Sequence, residues 1–409
     1  MADTNRFITK SAQDVYGVPE AVRELWREAP VREFTGENGV NGWLVTGMTE
    51  VRAVLSDPVF SRAEARRAGA VDELSSVSED NAPTDSRLHR LFTGAFNAGR
   101  SRATRSGVRR MVDGLLAPLV EAGPTADLVA GLCRPLPLMV VSEILGCPPG
   151  DRERVAHWAE RVTAFRTYPP EESQQAFQAL IDYMTDLVGT ERRTPAPDPD
   201  GGGLLQDLVT ACDEQHLLSE KELVHSACGL LLAGNETTAA VLAKGLLALL
   251  DNPDQLAALR ADMTLLPAAV QEVLRYVPLS PRPYDGQVRA TTSDVELGGV
   301  TIPAGGVVFV NAPAANLDPD AFPDPGRLDI TREGAARHVT FGHGPHYCLG
   351  AQVARTELEV AFAGVLAAFP GLELAVPAAE LAQTDGGLVV GLRELPVTWR
   401  DGTADRTRP

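Results

Sequence analysis

Phe341-Gly342-His343-Gly344-Pro345-His346-Tyr347-Cys348-Leu349-Gly350 leads straight into an amphipathic helical pattern in this 409-residue chain. Its glycines let the backbone run close to a flat ligand without Cβ clashes. A cysteine placed just ahead of a helix N-terminus is held as thiolate by the positive end of the helix dipole and by amide hydrogen bonds. Cys348 is therefore a candidate metal ligand. Two plainer roles compete. A cysteine is often a small buried hydrophobe, and His343, His346 and Cys348 could form three corners of a zinc site. Neither accounts for the pattern: a structural cysteine needs no glycine-rich loop around it, and zinc would need a fourth ligand or an open position that nothing else in the sequence announces.

Working upstream, Ser219 and Glu222 have capping-box spacing and open a predicted helix to about Leu250. Between Leu223 and Leu250 that helix is apolar around nearly its whole circumference, which suits an element passing through a protein interior. Halfway along it carries Ala233-Gly234-Asn235-Glu236-Thr237-Thr238. Consecutive polar side chains are costly to bury unless water or a ligand partners them, so they are expected to face a cavity. Further on, Glu272 and Arg275 stand one helical turn apart, a spacing common on solvated helix faces and worth little there.

Phe341, Gly342, Gly344, His346, Cys348 and Gly350 match the offsets of the haem-binding loop of the cytochrome P450 family, which the chain resembles from Trp43 to Trp399. The resemblance implies a mainly α fold with a smaller β-rich portion, the P450 triangular prism, as one haem-thiolate domain over residues 1–409. It implies haem b, with Cys348 as the iron ligand; thiolate ligation pushes electron density onto iron and favours O–O cleavage. Thr237 would hydrogen-bond the dioxygen, Glu236 would relay protons from solvent, and Gly234 would permit a local opening of the helix. Leu232, Ala233, Pro283 and Val389 would line the substrate pocket, with further contacts from the 62–85 loop and residues 163–175. Glu272, Arg275 and Arg327, the last in Phe322-Pro323-Asp324-Pro325-Gly326-Arg327, would form a buried structural cluster. His346 and Arg289 match positions that hold the haem carboxylates.

Some positions depart from the family pattern. Asp85 stands where His is common and His89 where Arg is common; His89 can still donate to a carboxylate, whereas Asp85 turned inward would repel one. Leu317 and Leu328 replace a usual basic residue and a common Phe. The implied activity is that of a soluble bacterial monooxygenase hydroxylating a hydrophobic or mid-sized natural product, a macrolide, polyketide or peptide, in secondary metabolism. Oxidative coupling or epoxidation by the same site, and a non-catalytic haem sensor, are the alternatives. The sequence has no Gly-x-Gly-x-x-Gly strand–helix unit and no cysteine cluster for iron–sulfur binding. Electrons are therefore expected from a ferredoxin and its reductase, an acidic carrier docking on arginines such as Arg100, Arg102, Arg109 and Arg355.

The rest of the chain fits this frame. Hydrophobic residues make up 44% and charged residues 22%, enough for a sizeable core with a charged exterior. With a net charge of −18 and no long basic tract, neither nucleic acid nor an anionic membrane is an expected partner. No apolar run is long enough to cross a bilayer and the start lacks a secretory pattern, so a cytoplasmic monomer is expected. Cys133, Cys147, Cys212, Cys228 and Cys348 are an odd number without paired spacing, which argues against a disulfide framework. Residues 42–60 predict a strand, turn and helix, 88–144 and 152–191 two helical regions, Thr194–Gly203 a surface loop, and 295–303 a hairpin followed by a strand over Val307–Val310. Residues 312–345 read as irregular but packed, and 375–399 as a terminal hairpin.

Overall fold

The short apolar runs near the start of the chain pair with each other at once: strands β1 (Val31–Thr35) and β2 (Asn41–Val45) lie antiparallel, Val31 opposite Val45. The computed structural model describes residues 29–36, 39–70, 98–164, 167–193, 203–279, 287–384 and 389–400, and all statements of structure concern these. Contacts gather the chain into two compact units, residues 1–86 with 251–348 and residues 87–250 with 349–409. In the first unit, helix α1 (Met48–Ser56) buries Met48, Val51, Val54 and Leu55, the i, i+3 and i+4 positions of one face. It ends at an extended Asp57 just before Pro58, as expected of a residue preceding proline. Strand β3 (Phe60–Ser61) follows, and Ser61 caps helix α2 (Arg62–Arg67) by accepting from the Glu64 amide at 3.2 Å. The strand, turn and helix expected over 42–60 are all present.

The second unit is predominantly helical. Helix α3 (Ala98–Ala122) gives way to a three-residue strand, β4 (Thr125–Asp127), then a π-helical turn over Val129–Cys133 and helix α4 (Pro135–Ile144). The helical region expected over 88–144 is thus interrupted within its described part by a strand. The region expected over 152–191 is two helices, α5 (Arg152–Thr163) and α6 (Pro170–Arg193), parted around Pro169 and restarting with Pro170 at a first-turn position where its missing N–H is harmless. Helices α7 (Leu204–Asp213) and α8 (Glu220–Leu250) complete the stretch. The capping box forms as expected: Ser219 Oγ accepts from the Glu222 amide at 3.2 Å, and Glu222 Oε2 accepts from the Ser219 amide at 2.7 Å. From Ala240 to Leu249 every residue of α8 is buried, Lys244 included. Val155 and Ala159 of α5, Leu180 and Met184 of α6, Leu208 of α7 and Leu231 of α8 share one apolar cluster.

The chain then returns to the first unit with helices α9 (Pro253–Ala261) and α10 (Leu266–Tyr276), strands β5 (Gln287–Thr291), β6 (Val295–Leu297), β7 (Val300–Ile302) and β8 (Val307–Val310), and the short helix α11 (Ala312–Asn316). Its sheet runs β1-β2-β8-β5-β3, antiparallel except for β2 against β8. The β6–β7 hairpin turns on Gly298 and Gly299, with φ of +56° and +79°, the paired positive values of a tight two-residue turn that glycine tolerates. Beyond α11 the path to Cys348 contains only short 3₁₀ turns, the irregular packed segment expected there. In the second unit, helix α12 (Ala351–Ala368) precedes strands β9 (Glu373–Leu374) and β10 (Pro396–Thr398). Strand β10 pairs with β9, which lies just ahead of the 375–399 range where a terminal hairpin is expected, and with β4 on its far side, while within that range Gln383 and Leu392 form an isolated antiparallel bridge. Helix predominates over a smaller strand portion.

Candidate active site

The loop ahead of Cys348 is held at both ends by the first unit. Asn316, at the end of α11, accepts from the Val339 amide at 2.8 Å and donates to Thr340 Oγ1 at 2.8 Å, while Thr340 Oγ1 donates to the Leu274 carbonyl of α10 at 2.6 Å. Gly342 and Gly344 both take positive φ, +75° and +70°. At Gly344 the requirement is also one of space: a Cβ would lie 2.8 Å from Ser56 Cα and 2.9 Å from the Leu55 carbonyl oxygen. The Cys348 amide closes the loop by donating to the Phe341 carbonyl at 2.8 Å. Phe341 stacks edge-on against Tyr347 with centroids 6.3 Å apart. Cys348 is exposed, whereas Cys133, Cys147 and Cys228 are buried thiols. Burial pushes Cys147 up to about 11 and Cys228 up to about 12, leaving them protonated and unreactive. The most exposed of the five sulfurs, at the end of a glycine-containing loop, fits the metal ligand of a flat cofactor, Cys212 being only partly exposed. A zinc site does not arise: among the described residues the one grouping of three metal-capable side chains is Cys212, Asp213 and Glu220, not His343, His346 and Cys348. Arg192 already pairs with both of that grouping's carboxylates, at 2.8 and 2.5 Å.

The carboxylate–arginine cluster is present with one member exchanged. Glu272 and Arg275 are fully buried and bidentate, Arg275 Nε and Nη2 each 2.7 Å from a Glu272 oxygen. The third partner is Arg332, whose Nε lies 3.0 Å from Glu272 Oε1 with only 7% of its side chain exposed. Arg327, expected in that place, is 60% exposed and pairs with Asp329 at 2.9 Å. It serves the network through its backbone, its carbonyl accepting from Arg332 Nη2 at 2.9 Å. The reason is geometric. Asp324 takes a φ of +48° in this turn, and Arg275 and Arg332 between them hold the carbonyls of Pro323, Asp324, Pro325 and Arg327, so the incoming guanidinium comes from the residue after the turn. The Asp329 amide adds a further bond to Glu272 at 3.0 Å.

Other expected site residues fall as follows. Arg289, on β5, is 3% exposed; its Nη1 donates to the Val288 carbonyl at 2.9 Å and its Nη2 to Gln287 Oε1 at 3.2 Å. Arg62, which the sequence reading did not single out, donates to the same Gln287 oxygen at 3.3 Å. Two guanidiniums converging on one neutral oxygen offer positive charge suited to a carboxylate. His346 is exposed in the 3₁₀ turn Gly344–His346. Val389 is half-buried. His89, Asp85 and Pro283 lie outside the described residues.

In the second unit, Leu232 is half-buried and Ala233 exposed on α8, followed by Gly234, Glu236 and Thr237, all partly buried. The helix is continuous through Gly234, so the opening expected there is absent. The geometry is instead that of an ordinary helical turn, in which Thr237 Oγ1 donates back to the Ala233 carbonyl at 2.7 Å. A Cβ at Gly234 would meet Val141 at an ordinary 3.6 Å, so packing alone does not demand glycine. Glu236 Oε2 is buried without a hydrogen-bond partner. Desolvation holds its carboxyl above the usual range, a nearby Thr163 hydroxyl drawing it partly back.

Comparison with known proteins agrees with this geometry. The cytochrome P450 family model matches residues 162–374. Nocardicin C N-oxygenase of Nocardia uniformis subsp. tsuyamanensis is 40% identical over 385 residues, spanning 92% of this chain and 94% of that protein. Cytochrome P450 monooxygenase PikC of Streptomyces venezuelae is 39% identical over 392 residues, spanning 92% of this chain and 90% of its own length. The crystal structure of the LnmA cytochrome P450 hydroxylase from the leinamycin biosynthetic pathway of Streptomyces atroolivaceus S-140 superposes with a TM-score of 0.87 at 40% identity, covering 96% of this chain and 99% of that one. The chain belongs to the cytochrome P450 monooxygenase family.

Proposed function

We propose that this protein binds haem b through Cys348 and inserts oxygen into a hydrophobic or mid-sized natural product of secondary metabolism, with hydroxylation as the principal reaction. The observation that carries the reading is the single exposed thiol at the end of a loop in which Gly342 and Gly344 take positive φ and Gly344 also has no room for a side chain. Bound there, haem supplies dioxygen activation at a thiolate-ligated iron. Arg289 and His346 would hold its carboxylates. Thr237 would offer its hydroxyl to the oxygen by turning from the Ala233 carbonyl, and Glu236, whose carboxyl is pushed above the usual range chiefly by burial, would carry the proton. Leu232, Ala233 and Val389 would present apolar surface to the substrate. Similarity to an N-oxygenase, to PikC and to a leinamycin-pathway hydroxylase supports natural-product tailoring, and product analysis separates carbon hydroxylation from N-oxidation, epoxidation and coupling. A ferredoxin and its reductase would supply electrons to a cytoplasmic monomer. Among the described residues no helix is long and apolar enough to cross a membrane.

The test is spectroscopic. The reduced carbon-monoxide complex of the purified protein is expected to show the strongly red-shifted Soret band of thiolate ligation, and Cys348→Ala to lose it. A wild-type spectrum typical of histidine ligation would overturn the assignment.

A further inference from the structure

Strand β3 pairs antiparallel with β5, Phe60 opposite Thr291 and Ser61 opposite Ala290. The next residue on, Arg62, therefore opens helix α2 alongside Arg289. Gln287 and Arg289 stand two apart on β5, so their side chains leave the same face of the strand. All three meet at one atom: Arg62 Nη2 donates to Gln287 Oε1 at 3.3 Å, and Arg289 Nη2 donates to it at 3.2 Å. Guanidiniums only donate, so the amide must turn its oxygen to them, and two N–H bonds use both of its lone pairs. That oxygen satisfies hydrogen bonding but brings no charge of its own. Two cations are held within two hydrogen-bond lengths of each other, Arg62 half-buried and Arg289 only 3% exposed. Like charges gathered away from water favour an anion between them.

We propose that Arg62 shares with Arg289 the grip on one haem carboxylate, Gln287 holding the two guanidiniums ready for it. The inference rests on the reading of Cys348 as haem ligand and adds to that site a residue that sequence spacing does not disclose. It also meets a deficit in the sequence. Asp85 and His89 stand where the family carries His and Arg, which removes a permanent cation from the cofactor's carboxylates and sets an acid in place of a donor. Arg62 returns the cation from a different element. Arginine suits the duty, because its planar fork can keep one N–H on Gln287 and turn another to a carboxylate oxygen. The rival role is a plain brace between α2 and β5, and the two roles predict opposite consequences of charging the central atom.

Haem transfer from the loaded protein to excess apomyoglobin, followed at the Soret band, separates them without turnover. Arg62→Leu is expected to lose haem several-fold faster than wild type, and Arg62→Lys to recover part of the difference. With haem dimethyl ester, whose carboxylates are capped, the two proteins are expected to lose the cofactor at the same rate. Gln287→Glu exchanges the amide nitrogen for an oxygen and lets a carboxylate pair with both guanidiniums. A brace would be tightened by that change and would release haem no faster than wild type. A carboxylate that takes the haem's partners is expected to release haem faster, and to do so only with the uncapped cofactor, so this variant carries the test even if Arg62→Leu does not fold. Haem retention unchanged in Gln287→Glu, or a deficit in either variant that persists with the ester, overturns the proposal. Haem bound with the red-shifted carbon-monoxide spectrum but indifferent to both variants sinks this inference alone, whereas a wild-type protein that takes up no haem sinks the Cys348 reading and this inference with it.

Discussion

Glu272 receives two guanidiniums and one backbone amide with no exposure of its own. Taking away such a carboxylate leaves Arg275 and Arg332 buried and uncompensated, a loss of about 3–5 kcal/mol. Glu272→Ala is therefore expected to lower the urea midpoint sharply, while Arg327→Ala, on the surface, stays within about 0.5 kcal/mol of wild type. Equal losses from the two variants would return Arg327 to the network. The contrast marks the limit of what residue patterns disclose. Glu272 and Arg275 are readable because helical periodicity alone makes them neighbours. The choice between Arg327 and Arg332 depends on a turn whose Asp324 carries an uncommon positive φ, which no spacing rule announces. Cys348 is legible for the opposite reason: its glycines, one of them pressed against α1, are demands of local backbone geometry that must be written in the sequence.

At the scale of elements, the central helix and the local β6–β7 hairpin were predictable, and pairings between strands distant in sequence were not. The capping box fixed the start of α8, and its all-round apolar character matches the buried run from Ala240 to Leu249. Strand β4 is three residues long and exists because β10, distant in sequence, pairs with it; the helical pattern around it hides that partner. Helix α8 also buries Lys244, whose ammonium is held down to about 7 by desolvation. In the unfolded chain a lysine titrates near about 10.4, so between these two values the unfolded state binds a proton that the folded state does not. Stability from this group therefore rises with pH across that window, by up to about 1.4 kcal/mol per unit, and is at its lowest below it. Lys244→Met is expected to be more stable than wild type at neutral pH, the advantage fading toward pH 10. Denaturant midpoints of the pair measured across pH check this, and parallel curves would refute it.

For the whole molecule, a net charge of −18 opposes the approach of an acidic electron carrier unless local positive charge outweighs it. Arg109 is exposed on α3, and Arg355 lies partly exposed on α12 in the same unit. Arg109→Glu is expected to slow reduction by an acidic ferredoxin several-fold at low salt, the deficit shrinking once the Debye length falls to about 10 Å near 0.1 M. A deficit independent of ionic strength would point away from electrostatic docking. The parallel pairing of β2 with β8 carries a different consequence. Trp43 to Val45 find their partners only at Val308 to Val310. During synthesis the N-terminal hairpin must wait, one edge uncovered, until most of the polypeptide has left the ribosome, and such distant pairings slow the search for the native state. Fragments stopped before residue 307 should accordingly precipitate where the intact chain stays dissolved, because the hairpin's waiting edge is open to pair with other copies of itself.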